Sequence, residues 1–148
     1  MSLLNKLYNL KRTLLSDDNK ITLDIINKLI PLKLYNFKSG TKCYDWVIPP
    51  KWVVNKGVLK DLKGNKIIDY KDNTLHLLNY SNSYKGEISK KQLLNNLYTD
   101  ENQPNAIPYR TSYYSNNWGF CLSYNKLKTL KDEKYTVDID TKFIPGEL

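Results

Sequence analysis

The chain has 148 residues, of which 41% are hydrophobic and 26% are charged, values typical of one globular domain large enough to bury its own core. No apolar run approaches the roughly 18 residues that a membrane-spanning helix needs, and Asn and Lys interrupt the N-terminal leucines too often for a signal peptide. These features argue against a transmembrane span and a secretory leader, and we expect a protein of the cytoplasm.

The net charge of +8 raises the question of nucleic-acid binding. Almost all of the positive charge comes from dispersed lysines, and only Arg12 and Arg110 offer the planar fork that reads bases and phosphates. This pattern favours a solvated lysine surface over a nucleic-acid interface.

Two features bear on redox and metal chemistry. Cys43 and Cys121 lie far apart and lack ligand-like neighbours, so two free thiols are favoured over a disulfide in a cytoplasmic protein. His76 is the only histidine, and no C-x-x-C or H-E-x-x-H motif is present. The sequence therefore predicts no metal ligands within this chain.

The first thirty residues predict a helical hairpin. Leucines recur at helical spacing from Leu3 to Leu14, with Ser2 in the position of an N-cap. The polar segment "SDDN", residues 16–19, breaks this pattern with residues that prefer turns and helix caps, and a polar turn is expected there. A second apolar stripe follows until Pro31 stops it. Because both helices are amphipathic, their apolar faces need a partner surface.

From residue 32 the hydrophobic period changes to two, which predicts strands. Four segments fit this pattern in chain order: "LKLYNF", "TKCYDWVIPP" after the Ser39-Gly40 turn, the β-hairpin "GVLKDLKGNKIIDY", and "LHLLNYS". In the hairpin, residues 58–62 are expected to pair with residues 66–70 across Gly64 and Asn65, which tolerate the backbone of a tight turn.

A third helix has a clear start signal. Ser89 and Gln92 are spaced as a capping box, and Ile88 and Leu93 stand at the positions of a hydrophobic staple. The helix is expected to run through "KKQLLNNLY", and "YNKLKTLKDEK" and "YTVDID" predict a short helix and a strand. The predicted fold class is α+β, with an N-terminal helical hairpin, several short strands and hairpins, and one central helix.

The segment "AIPYRTSYYSNNWGFCLSY", residues 106–124, concentrates aromatic side chains on a proline-bounded loop. Three interpretations are open: a core segment, a platform that stacks bases, or the wall of a binding cleft. Alternation predicts that Phe120 and Leu122 are buried, with Cys121 as an inert buried thiol. The polar neighbours of the tyrosines instead predict an exposed rim. The candidate cleft residues are Tyr109, Arg110, Tyr113, Tyr114 and Trp118.

Two further residues are weaker candidates for the cleft. His76 lies between Leu75 and Leu77, and a structural histidine bonded at a sheet edge is favoured there over a catalytic one. Asp45, which precedes Trp46, is favoured as structural, with the orientation of a ligand as the alternative. No G-x-S-x-G motif or glycine-rich phosphate loop is present, so no catalytic residue is predicted in this chain.

Three segments carry a family resemblance in this order: "SGTKCYDWVIPPKW", "GNKIIDYKDNTLH" and "AIPYRTSYYSNNWGFCLSY". Together with the opening hairpin, they make the chain resemble the N-terminal third of the bacterial DUF4910 proteins. These are M28-like, zinc aminopeptidase-like proteins with an inserted DUF2172 domain, often encoded near surface-polysaccharide genes. The chain departs from the family at "SDDN", where a glycine is usual, and at Tyr124, where a histidine often stands.

The resemblance implies a division of the chain into three parts. Residues 1–37 would form the helical hairpin and first strand of an α/β peptidase-like domain. Residues 38–126 would form the inserted β-rich domain, and residues 127–148 would return to the peptidase-like domain. The end at "FIPGEL" is expected to be a truncation, because the family's metal-binding motifs come later. Zinc is thus implied for the full-length family, but no cofactor, metal ligand or catalytic residue is expected here.

Two functions follow from this interpretation. As the N-terminal portion of a zinc-dependent aminopeptidase-like hydrolase, the chain would be inactive alone. Its inserted domain would shape a cleft for a peptide or a modified amino acid, with Arg110 facing a substrate carboxylate. The alternative is a stand-alone module that binds carbohydrate or a protein. A peptidase fragment would also self-associate through its exposed apolar hairpin, and no membrane partner is expected.

Overall fold

The structure, a computed structural model, describes residues 3–8 and 10–148. It confirms the predicted α+β class, since four α-helices, one 3-10 helix and eight strands lie in the described part of the chain. No helix among these residues is both long and apolar enough to cross a membrane. The chain divides into two compact units, residues 1–53 with 143–148 and residues 54–142. The three-part division predicted from the sequence stays a prediction.

In the first unit the predicted helical hairpin is shorter than the sequence indicates. Helix α1 spans Leu3–Leu7 and helix α2 spans Asp17–Asn27. The turn expected at "SDDN" is not formed, but its cap signal is confirmed, because Ser16 takes the N-cap position and the two aspartates form the first turn of α2. The helix dipole favours negative charge at that end. The predicted N-cap at Ser2 lies outside the described residues.

Helix α2 ends before the apolar stripe does. Leu32 N donates a hydrogen bond of 2.7 Å to the Asn27 side chain, and Pro31 cannot continue a helix. Neither α1 nor α2 contains a buried residue. The apolar side chains of the two helices are therefore exposed or part-exposed, whereas Leu15 between the helices is buried.

The predicted strand "LKLYNF" is not formed. Only Phe37 pairs there, exchanging backbone hydrogen bonds of 3.0 and 2.8 Å with Leu148. Leu34 and Phe37 are 45% and 50% exposed, so the alternating apolar side chains find no sheet face to cover. The turn that follows is confirmed, with Gly40 at a φ of 86°.

The segment "TKCYDWVIPP" is a small hairpin rather than one extended piece. Strand β1, Lys42–Cys43, pairs antiparallel with strand β2, Trp46–Val47. Tyr44 adopts a φ of 55° between them, a backbone conformation that two-residue hairpin turns require.

The other strands are β3 (Lys51–Asp61), β4 (Lys66–Asp69), β5 (Tyr84–Ser89), β6 (Leu97–Tyr98), β7 (Phe120–Cys121) and β8 (Lys134–Ile144). Four of them form a sheet in the order β4-β3-β8-β5, and β6 pairs with β7 in parallel. The predicted hairpin is confirmed, because Val58 pairs with Asp69 and Leu59 with Ile68, with Gly64 at a φ of 87°. Strand β8 confirms the "YTVDID" strand and extends it. Strand β5 was not predicted.

Buried side chains of the sheet, alternating along β8, build the core of the second unit. In β8, Tyr135, Val137 and Ile139 are buried while the residues between them are not. Leu59 of β3 and Ile68 of β4 are buried as well. The period of two in β8 is the pattern expected of a strand with one face covered, whereas β3 and β4 each contain consecutive buried residues.

The start of the third helix, α3 (Lys90–Leu94), is as predicted. Ser89 Oγ accepts from Gln92 N, and the Gln92 side chain accepts from Ser89 N, which completes the capping box. Both staple residues, Ile88 and Leu93, are buried. The predicted length is wrong, because the chain leaves the helix after Leu94 and enters β6, and Leu94 itself is 43% exposed.

The predicted strand "LHLLNYS" is also absent. Residues Thr74–His76 form a 3-10 helix, and the Asn73 side chain accepts from Leu75 N at its start. Beyond it, this segment makes two isolated bridges to the aromatic loop: Leu77 with Phe120, and Asn79 with Thr111. The short helix after the loop is confirmed as α4, Tyr124–Lys128, with Ser123 as its N-cap.

Candidate functional site

The two segments 77–84 and 109–120 of the second unit lie side by side. Backbone hydrogen bonds of 2.9–3.0 Å join them at three levels: Leu78 N to Gly119 O, Asn79 N to Arg110 O, and Asn82 N to Asn117 O. Most of the aromatic loop is thus tied to a neighbouring segment along its length. This backbone support fixes where its side chains lie.

The part-exposed and exposed aromatic side chains carried by these segments form the aromatic surface, which we define as Tyr84, Tyr109, Tyr113, Tyr114 and Trp118. Four of the five come from the sequence prediction, and Tyr84 does not. Tyr109 and Tyr114 are 60% and 91% exposed. The predicted division of the loop into core and rim is confirmed for the core, since Phe120, Cys121 and Leu122 are fully buried. Of the predicted rim, Tyr113 and Trp118 are only part-exposed.

One half of the aromatic surface is a chain of edge-to-face tyrosines. Tyr113 meets Tyr80 with ring centroids 5.1 Å apart and Tyr114 with centroids 4.6 Å apart, which is a favoured aromatic geometry. Burial, followed by the nearby hydroxyls of Tyr113 and Tyr109, raises the pKa of Tyr80 to about 12. Tyr80 therefore stays protonated at neutral pH and supports the more exposed rings from beneath.

The other half is a stacked pair. The rings of Tyr84 and Trp118 lie 4.1 Å apart at an interplanar angle of 15°. Asn117 holds the base of the tryptophan, because its side chain donates to Tyr98 OH at 3.0 Å and accepts from Trp118 N at 2.8 Å. Trp118 is therefore held at its backbone N–H by Asn117 and at its indole ring by the stack with Tyr84.

Gly119 is required for this arrangement. A Cβ at this position would lie 2.6 Å from Asn96 O and 2.8 Å from the Tyr98 ring. Phe120 N donates to Asn96 O at 2.9 Å, so the backbone must approach closely here. The absence of a side chain next to Trp118 lets β7 form beside β6.

Arg110 is anchored through its backbone while its side chain is exposed. Beneath it, burial raises the pKa of the Cys121 thiol to about 11, and the Arg110 backbone N–H offsets only part of that effect. Cys121 is thus protonated at neutral pH and is not a nucleophile. Both cysteines are free, Cys43 exposed and Cys121 buried, as the sequence predicts.

His76 is half-buried, and its Nδ1 lies 2.9 Å from Cys121 O. A carbonyl oxygen only accepts hydrogen bonds, so Nδ1 carries a proton in this contact, which leaves Nε2 as the ring nitrogen that faces away from Cys121 O. Asp45 belongs to the first unit, where it lies exposed in the β1–β2 turn. The aromatic surface is built without it.

No group of three or more His, Cys, Asp or Glu side chains in residues 3–8 and 10–148 is arranged to hold a metal ion. The described residues do not fit the zinc that the resemblance implies for the full-length family. No chemical step in this chain is therefore derived through a metal.

Sequence reasoning missed Tyr80, Tyr84 and Tyr98 as parts of the site. A signal for the first two was present, because "YSNSY" at residues 80–84 has the same aromatic-Ser-Asn-x-aromatic pattern as "YSNNW" at residues 114–118. The final rings of the two patterns are the ones that stack.

Comparison with known proteins places this site within a family. The family model described as a domain of unknown function, DUF2172, matches residues 51–142. The chain belongs to the DUF2172 family. Every residue of the aromatic surface lies within the matched range, and Asp45 lies outside it.

Two relatives extend the similarity to almost the whole chain. A protein of Clostridium acetobutylicum, provisionally named a polysaccharide biosynthesis protein with an aminopeptidase-like domain, is 38% identical over 147 residues, which are 99% of this chain and 34% of the relative. A crystal structure of a provisionally named peptidase from the same organism superposes with a TM-score of 0.89 at 38% identity, covering 99% of this chain and 35% of that one. This DUF2172 chain is thus related to peptidase-like proteins and spans about a third of their length.

Proposed function

We propose that this chain is part of a zinc-dependent, aminopeptidase-like hydrolase of the M28-like DUF4910 kind, and that its aromatic surface forms one wall of the substrate cleft. Zinc and the catalytic groups would be supplied by residues outside this chain. The chain alone would be inactive. The names of the two relatives and their similarity across 99% of the chain support the peptidase-like part of this proposal.

The proposal of a cleft wall rests on the exposed rings of Tyr109 and Tyr114, which share a fixed loop with the guanidinium of Arg110. Tyr109 and Tyr114 are exposed, yet their loop is held by backbone bonds to residues 77–82. A site of this kind binds a ligand without first ordering a loop, which lowers the entropic cost of binding.

The roles of individual residues follow from their chemistry. The exposed guanidinium of Arg110 would bind the carboxylate of a peptide or modified amino acid through two parallel hydrogen bonds. Tyr109 and Tyr114 would cover apolar parts of the ligand. His76 Nε2 would accept a hydrogen bond, because its Nδ1 is engaged with Cys121 O at 2.9 Å.

A second function is favoured by the Tyr84–Trp118 stack and the amides of Asn116 and Asn117 beside it. Flat aromatic faces next to amide groups suit sugar rings, and one relative is provisionally named for polysaccharide biosynthesis. In this alternative, the chain is a binding module for carbohydrate and performs no catalysis.

A binding experiment on the chain separates the two functions. Dipeptides with free carboxylates, the same dipeptides amidated, and neutral oligosaccharides would be titrated while the backbone amides are followed by NMR. We expect the free dipeptides to shift the amides of residues 109–118, with Arg110→Ala weakening binding about 10-fold or more through loss of a charge-assisted contact. Arg12→Ala, which changes the other arginine, is the matched control and leaves binding unchanged.

The outcomes are distinct. Shifts caused by oligosaccharides but not by dipeptides would favour the carbohydrate module. Equal binding of free and amidated dipeptides would show that Arg110 does not bind the ligand carboxylate. Absence of any shift at the aromatic surface would contradict both functions.

A further inference from the structure

Strand β5 forms one edge of the four-stranded sheet, and its pairing with β8 fixes the direction of its backbone groups. Lys90 N donates to Glu133 O at 2.7 Å, which continues the register in which Ile88 faces Tyr135 and Gly86 faces Val137. In an antiparallel ladder, alternate residues exchange hydrogen bonds with the partner strand. The residues between them, Lys85 and Glu87, therefore direct N–H and C=O away from β8.

An independent bond supports this assignment. Ser89 lies two and four positions after Glu87 and Lys85, so its backbone groups point to the same side of the strand. Its N–H donates to the Gln92 side chain rather than to β8. Within the described part of the chain, the backbones of Lys85 and Glu87 make no hydrogen bond to another segment. Both side chains are exposed, whereas Ile88 on the opposite face is buried.

The two edges of the sheet differ in how they are protected. The edge strand β4 has four residues and a register irregularity opposite Leu59 and Lys60, features that discourage pairing with another chain. Strand β5 has six residues in unbroken register with β8. Its outward residues carry one positive and one negative charge.

We propose that β5 pairs antiparallel with β5 of a second copy of this chain, across a two-fold axis at Gly86. Two four-stranded sheets would then form one continuous eight-stranded sheet. This register sets Lys85 opposite the partner's Glu87 and Glu87 opposite the partner's Lys85. Each pair exchanges two backbone hydrogen bonds through the outward N–H and C=O groups, and each also joins opposite charges on one face.

The charges of Lys85 and Glu87 favour a second copy of this chain as the partner, and they favour this register of the two strands. A shift by two residues in either direction would place Lys85 opposite the partner's Lys85, or Glu87 opposite the partner's Glu87, which is unfavourable. An unrelated strand would have to match both a lysine and a glutamate, whereas a second copy matches them by symmetry. The contact is small and polar, so the dimer is weak and depends on concentration.

The test is sedimentation velocity on the full chain from about 5 to about 500 µM, a range suited to a weak interface. The wild-type chain of 17.4 kDa shifts reversibly from monomer to dimer as its concentration rises. Glu87→Lys places like charges opposite each other at both symmetric positions and weakens dimerisation about 10-fold or more. The double variant Lys85→Glu/Glu87→Lys exchanges the charges and restores dimerisation to within about 3-fold of wild type.

Two controls keep the result interpretable. Glu101→Lys makes the same change of net charge at an exposed loop residue outside β5, and its dimerisation matches wild type. Lys85→Glu creates the opposite like-charge pair and weakens the dimer as Glu87→Lys does, so the test survives the misfolding of either single variant. Far-UV circular dichroism identifies any variant that fails to fold.

Several results would overturn the proposal. These are a monomer at all concentrations, a dimer that none of the β5 variants weakens, or a double variant no stronger than the single ones. A dimer that none of the β5 variants weakens would be assigned to an interface formed by the exposed apolar side chains of the first unit. Amide shifts at Lys85 and Glu87 on adding an extended peptide to a monomeric chain would assign the edge to a foreign strand.

Discussion

The two units of this chain use their apolar residues in opposite ways. Among the described residues, the first unit buries three hydrophobic side chains and exposes sixteen large ones, whereas the second buries sixteen and exposes five. The difference follows from secondary structure. The second unit has long paired strands with one covered face, and the first has two short helices without a buried residue and a minimal hairpin.

This contrast shows that the second unit contains a core of its own. The DUF2172 match at residues 51–142 covers all of it. Burial of apolar area is the main stabilising term in folding, so the free energy of unfolding should depend on side chains of the second unit far more than on those of the first.

A pair of leucine truncations tests the contrast most directly. Leu93 of the second unit is 0% exposed and Leu29 of the first is 65% exposed. We expect Leu93→Ala to lower the free energy of unfolding by about 3 kcal/mol through lost burial and a residual cavity. Leu29→Ala should change it by less than about 0.5 kcal/mol. Urea unfolding followed by tryptophan fluorescence measures both, and equal losses would contradict the contrast.

A second pair compares the N-caps of one helix from each unit. Ser89 Oγ accepts a hydrogen bond from Gln92 N in α3, whereas Ser16 at the start of α2 makes no such bond and its buried Oγ has no hydrogen-bond partner among the described residues. Ser89→Ala should cost about 1 kcal/mol of stability. Ser16→Ala should be neutral or slightly stabilising, because it removes an unsatisfied buried hydroxyl.

Thermal unfolding of the two serine variants gives the comparison. Ser89→Thr, which keeps the hydroxyl, serves as the matched control and should retain most of the stability. A larger loss of thermal stability in Ser16→Ala than in Ser89→Ala would contradict the prediction that the N-cap of α3 stabilises the fold more than the N-cap of α2.

Sequence reasoning succeeded where the determining contacts are local. The capping box and the staple lie within six consecutive residues, and the turn at Gly64 joins adjacent strands, so each signal is complete within a short window. "SDDN" was misassigned because Ser and Asp favour both turns and helix starts, and only the chain that follows decides between them.

The site shows the limit of such reasoning. The exposed rim at Tyr109 and Tyr114 follows from polar neighbours in the sequence, whereas the stack of Tyr84 on Trp118 depends on two segments that meet only in the fold. Strand β5 was missed because its polar and charged residues have no apolar alternation. Its place in the sheet comes from the pairing with β8.

The smallest expected effect concerns the buried carboxylate of Asp69 in the second unit. Asp69 is buried at the end of β4, where Lys71 N donates to its carboxylate at 3.0 Å and Lys66 Nζ lies 3.0 Å from it. The Lys71 backbone bond is the main cause that lowers the pKa of Asp69 below its ordinary value of 3.8, and the Lys66 side chain adds to it. A carboxylate with a lowered pKa stabilises the folded state above its ordinary pKa, and this contribution is lost as pH falls through the folded value.

Asp69→Asn should therefore lower stability at neutral pH by less than the Ser89→Ala change, and the deficit should shrink as pH falls below about 4. Asp24→Asn on the exposed surface of α2 is the matched control from the first unit, with no comparable loss at neutral pH. Urea midpoints measured from neutral pH down to about 2 give both curves. A deficit for Asp69→Asn that stays constant across this range would mean that the carboxylate acts through its shape and hydrogen bonds alone, and that its charge adds nothing to the stability of the second unit.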